Sequence, residues 1–149
     1  MKRIWPVVLW LCWLPACGTG GSSLPDAGGD ECFFDVGDVG ITIQLAEEQF
    51  FGVAIPFEGT DLVVEDLVVG TTVIDAGRLT LSVDQSFVIA DTDLFDQVVE
   101  ATFDGELVGG TCDTFFLFEG TGTITFGDST TGTQETFPIF DVTVPAYLE

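Results

Sequence analysis

Histidine is absent from all 149 residues, and basic side chains nearly so: three Lys or Arg stand against 25 Asp or Glu. Two of the three bases, Lys2 and Arg3, and all three tryptophans, Trp5, Trp10 and Trp13, fall at the very start of the chain. Each shortage excludes a chemistry. Without histidine there is no Ser-His or Cys-His mechanism. Without clustered Lys and Arg nothing displaces the counterions of a phosphate backbone, so nucleic acid is excluded as a partner. The length suits one ordinary domain.

Residues 1–16, MKRIWPVVLWLCWLPA, place a charged start before an apolar run from Ile4 to Leu14. That is the pattern of a secretory signal peptide. The run is too short for a spanning helix, which needs about 20 residues. Leu14-Pro15-Ala16-Cys17 resembles the lipobox of bacterial lipoprotein precursors, in which a branched apolar residue and a small residue precede a cysteine. The resemblance covers only this leader. It implies cleavage before Cys17, a diacylglycerol thioether on its sulfur and acylation of its new amino group. Several acyl chains anchor a protein firmly, where one does not. Gly18 in place of an aspartate implies the outer membrane rather than the inner one. The alternative is ordinary cleavage after Ala16 that leaves Cys17 a free thiol. Residues 17–31, CGTGGSSLPDAGGDE, can bury almost nothing and are expected to be a flexible tether reaching roughly 20 Å on random-coil arithmetic. A single acidic domain, residues 32–149, follows.

Without its leader the chain keeps all 25 acids against one base, Arg78, a formal charge of −24. It has no Lys, His, Trp or Met but keeps all 14 phenylalanines. Like charges at this density destabilise a compact state, more so at low salt. A surface built for high ionic strength or bound divalent cations is therefore expected.

Phenylalanine and threonine favour strands, and glycine marks turns. Period-2 alternation recurs: Val39, Ile41, Ile43 and Leu45; Phe51, Val53, Ile55 and Phe57; Leu79, Leu81 and Val83; Val99, Ala101 and Phe103; Ile124 and Phe126; Phe140, Val142 and Val144. Cys32–Val36, Leu62–Val69, Phe87–Ala90 and Phe115–Phe118 are apolar on both sides. Gly59, Gly70, Gly77, Asp84, Gly109-Gly110, Gly120 and Gly127-Asp128 punctuate the joins, and Asp104-Gly105 is the leading two-residue hairpin signal. Ala46–Gln49 and Asp93–Glu100 are the only stretches with any helical leaning. The expected fold is all-β: a single antiparallel β-sandwich of about nine or ten short strands, with a closed up-and-down β-barrel as the alternative.

Cys32 and Cys112 remain in an exported domain, where disulfides persist. With neither a CxxC motif nor histidine to suggest a metal, a structural bridge between them is expected. Asp91-Thr92-Asp93-Leu94-Phe95-Asp96 begins with the alternating oxygens of a calcium loop. Phe95 then occupies a ligand position, and Asp96 stands where an EF-hand requires glycine. This makes Asp91, Asp93 and Asp96 candidate Ca2+ ligands of a nonstandard loop only. Arg78 is expected to pair with a neighbouring carboxylate. No catalytic constellation is visible. The expected function is a lipid-anchored cell-envelope domain of structural or protein-interaction type, attached to the membrane through Cys17 and open to a protein partner on the cell surface. The alternatives are a lipocalin-like carrier of an apolar ligand in a phenylalanine-lined cavity and, third, a calcium-dependent binding module or a carboxylate hydrolase.

Overall fold

A computed structural model describes residues 32–34, 37–89 and 95–148, with the backbone alone for 32–34, 147 and 148. The leader, the tether, Cys17, Asp91 and Asp93 lie outside the described residues.

Ten strands make up the fold: β1 (Cys32–Phe34), β2 (Gly37–Ala46), β3 (Gln49–Phe57), β4 (Asp61–Val64), β5 (Leu67–Asp75), β6 (Arg78–Val83), β7 (Phe87–Val88), β8 (Gln97–Gly110), β9 (Phe115–Gly127) and β10 (Gln134–Leu148). All pairings are antiparallel, and no described residue is helical. The expected all-β class and strand number hold. The strands join in one sheet of order β3-β2-β10-β9-β8-β6-β5-β4, with β1 added to β10 and β7 to β8. The sheet curls into a half-barrel around one core. Chain neighbours are sheet neighbours almost throughout, and β10 returns to β2; this is the meander order of an up-and-down barrel. Among the described residues, the ends of the sheet, β3 and β4, are hydrogen-bonded to each other only where Glu58 and Asp61 exchange backbone hydrogen bonds of 2.9 and 3.1 Å.

The alternation read from sequence builds the inner face. Val39, Ile41 and Ile43 of β2, Leu79, Leu81 and Val83 of β6, and Ile124 and Phe126 of β9 are all buried; Phe115–Phe118, expected to be covered on both sides, is one-sided instead, with Phe115 exposed and Phe116 and Phe118 buried. Each such side chain contributes about 1.5–3 kcal/mol relative to exposure. Phe95, Phe126 and Phe137 form an aromatic cluster with centroids 5.3–6.0 Å apart.

Three inward assignments fail, two of them because of β-bulges. The register of β10 shifts between Ile139 and Asp141 against both β9 and β2. Against β2 the extra residue is Phe140, whereas against β9 the longer side is β9, with Gly120 and Thr121 facing Phe140 alone; Phe140 turns outward and is 49% exposed, while Ile139 before it and Val142 after it are buried. A bulge inserts one residue and breaks the period of two. The same happens between Val98 and Glu100, so Val98 rather than Val99 fills the core. Phe51 has inward parity, but burial along β3 begins only at Val53, and Phe51 is left half exposed.

The turn and helix signals need correction as well. Asp104-Gly105 is not a hairpin turn. It lies within β8, opposite Thr121 and Gly120. Gly105 is needed there for close approach: a Cβ would meet the Phe103 ring and the Glu119 carbonyl oxygen at 2.9 Å. Gly70 and Gly120 likewise sit inside β5 and β9. The tight turns are Glu65-Asp66, which divides the apolar stretch 62–69, and Ala76-Gly77. All four of these residues have positive φ, from 49° to 78°, as type I′ hairpins require. Glu47 and Glu48 form a turn, and residues 97–100 begin β8 rather than a helix.

Candidate functional site

Chemistry-bearing side chains gather on the outer face of β5, β6, β8, β9 and β10. Cross-strand register places Asp75 opposite Arg78, Arg78 opposite Glu106, Glu106 opposite Glu119, and Glu119 opposite Asp141. One transverse row thus carries four acids and Arg78, the one base among the described residues. Like charges directly opposite one another repel, and Arg78 relieves only its own end. Its guanidinium grips Asp104 bidentately, with Nε donating to Oδ1 at 2.6 Å and Nη2 to Oδ2. The Asp104 hydrogen bonds raise the Arg78 pKa above its ordinary value. The same bonds hold the Asp104 carboxyl below the usual range. The expected ion pair is present, but about half of each side chain is open to water, so it adds little stability.

A depression of about 580 Å3 lies over this row, lined among others by Arg78, Asp104, Glu106, Glu119, Val108 and Phe140. The backbones of Gly105 and Gly120 form part of its floor. Its acids are exposed, apart from the half-covered Asp104.

Of the three candidate calcium ligands, only Asp96 is described. Its Oδ1 accepts the Ser129 N–H at 2.8 Å, and its Oδ2 accepts the Ser129 hydroxyl. Asp96 therefore ties the loop before β8 to the loop after β9. Among the described residues no group of three or more His, Cys, Asp or Glu is arranged to hold a metal ion. In that second loop Asp128 accepts the Thr131 hydroxyl at 2.7 Å and the N–H groups of Thr131 and Thr130 at 3.1 and 2.7 Å. These bonds, the Thr131 hydroxyl first, hold its carboxyl below the ordinary aspartate value. Their stabilisation is present above that ordinary value and is lost as pH falls through the lowered one.

Cys112 is buried in the β8–β9 turn. Cys32 stands opposite Leu148 on β10, and its side chain lies outside the described set.

Sequence reasoning missed an exposed aromatic pair beside an open strand edge. Phe50, on β3, and Phe140, at the β10 bulge, are each about half exposed, and their ring centroids lie 4.9 Å apart. Among the described residues, β3 pairs with β2 alone, save for the Glu58–Asp61 bridge beyond its end. Pro56 was the available signal, because a proline inside an alternating strand marks an edge. No protein family, curated protein or solved structure matches this chain.

Proposed function

We propose that this chain is a lipid-anchored component of a bacterial cell envelope that acts by binding another protein and not by catalysis. The observation that carries this reading is the Phe50–Phe140 pair left in water beside an open edge. Exposed apolar surface of this kind marks interaction sites, and it lies on a domain whose core is already filled by other phenylalanines. Leu14-Pro15-Ala16-Cys17 supplies the anchor, and the tether holds the domain clear of the bilayer.

A Cys32–Cys112 bridge belongs to the same reading. Supporting it, the Cys112 sulfur is already engaged and is not a free thiol. β1 and the start of β9 also flank β10 at adjacent registers. Closing a loop of this length contributes as much as ~4–5 kcal/mol in the chain-entropy model.

Mass spectrometry of the amino-terminal peptide is expected to find Cys17 acylated and the protein in the membrane fraction. Cys17→Ser is expected to release it. An unmodified, water-soluble product from the unaltered chain overturns the anchored reading. The meander strand order favours one second reading, the lipocalin-like carrier. An apolar molecule retained by the purified protein in native mass spectrometry would establish it instead.

A further inference from the structure

We infer that the open edge of β3 receives an extended, positively charged segment of a partner protein as an added strand. This deepens the interaction reading above and rests on it.

The two edges of the sheet are built differently. β4 is four residues long, has a register shift between Leu62 and Val63, and ends in the Glu65-Asp66 turn. Short length and a bulge are the usual guards against unwanted pairing. β3 runs nine residues, Gln49–Phe57, in unbroken register with β2 from Phe50 to Phe57. It carries no charged side chain, where a protected edge carries lysine or other charges, and its single proline, Pro56, stands near one end and guards only that position. Pro56 has no N–H for β2, so positions sharing its parity turn their backbone groups away from β2. Phe50, Gly52 and Ala54 therefore offer their N–H and C=O groups outward. Gly52 and Ala54 are exposed, and a Cβ at Gly52 would meet nothing within 4 Å. A backbone can reach this edge without a side chain in its way, which is the geometry of strand addition.

Charge selects the occupant. The uncharged strip is bracketed by Glu47 and Glu48 before it and by Glu58 and Asp61 after it, all exposed. A strand of this length spans about 30 Å. A guest with apolar or threonine residues in its middle and Lys or Arg at both ends matches the strip. A second copy brings a second formal charge of −24 with one Arg, and two such surfaces repel across a screening length of ~10 Å at 0.1 M salt.

The test uses the full lipidated protein in detergent and a fluorescent, end-capped nonapeptide, Lys-Lys-Val-Thr-Val-Thr-Val-Lys-Lys, read by anisotropy. Saturable binding is expected. N-methylation of alternate amides on the peptide's pairing edge leaves its charge unchanged and is expected to weaken binding about tenfold, the worth of one or two net backbone hydrogen bonds. Ala54→Pro, which removes an outward N–H and spares the β2 ladder, is expected to weaken binding similarly with an unchanged melting temperature. The N-methylated peptide keeps the test decisive should that variant fold poorly. Equal binding of both peptides, lost in salt, overturns strand addition and leaves only diffuse charge attraction. No binding also overturns it, as does a dimer in sedimentation that Ala54→Pro dissolves. The anchored reading stands or falls separately, on the state of Cys17.

Discussion

The two faces of one sheet follow opposite rules. Inward, Phe116, Phe118, Leu79 and Val142 are sealed from water in a single cluster. Outward, the same strands carry threonines and the charged row from Asp75 to Asp141. Adjacent residues of one strand therefore differ sharply in what they contribute. The inner face holds the fold through packing. The outer face, where exposed acids far outnumber the single described base, Arg78, sets the charge that the domain presents to solvent.

Matched substitutions on neighbouring or equivalent positions sharpen this contrast. The largest difference is expected between Phe118→Ala and Phe115→Ala. Phe118 is fully buried, and its truncation is expected to cost about 3–5 kcal/mol in urea unfolding. Phe115 is about half exposed, and its loss is expected to cost about 1 kcal/mol. Equal costs would show that the core does not lie where the burial places it.

Glycines come next. A Cβ on Gly120 would run into the Asp104 carbonyl oxygen and the Gly105 Cα, atoms that cannot swing aside. Gly120→Ala is expected to cost about 1–3 kcal/mol. On the open edge Gly52→Ala meets nothing and is expected to be neutral or to stabilise by about 0.5 kcal/mol. A calorimetric scan that ranks the two the other way breaks the comparison.

The smallest effect concerns hydroxyls. Thr72 is buried, and its Oγ1 has no hydrogen-bond partner among the described residues. That orphan group carries a desolvation cost, so Thr72→Val is expected to stabilise by about 1 kcal/mol. Thr71, next to it and exposed, keeps its water, and Thr71→Val is expected to change unfolding free energy by no more than about 0.5 kcal/mol. A destabilised Thr72→Val would show that the hydroxyl is satisfied.

The inner faces of β2 and β6 were legible because period 2 persists there without interruption; in β9 it was legible only at Ile124 and Phe126, because the unbroken apolar run Phe115–Phe118 hides which side faces the core. Phe140 and Val99 were misassigned for a single reason. A bulge shifts parity by one residue, and nothing local to Pro138-Ile139-Phe140-Asp141 announces where the extra residue falls. Asp104-Gly105 misled because its glycine makes room for the Phe103 ring and for the Glu119 carbonyl of the neighbouring strand, a demand that only the pairing of β8 with β9 creates. Glu65-Asp66 went unseen because glutamate seldom occupies a positive-φ turn position. Arg78 was expected to find an acid, but which of its neighbours it would grip depended on strand register. The Phe50–Phe140 pair joins residues far apart in the chain.

Composition and periodicity alone determined that this chain is all-β and antiparallel, with a strongly acidic surface, because those properties belong to single residues and their near neighbours. Tertiary structure decided that the strands form one curled sheet with unlike edges, that two bulges move Phe140 and Val99 off the core, and that the acids align in a row. Those outcomes depend on which strands lie side by side and in what register. Such long-range pairing is fixed by the collective packing of the core, not by any local run of sequence.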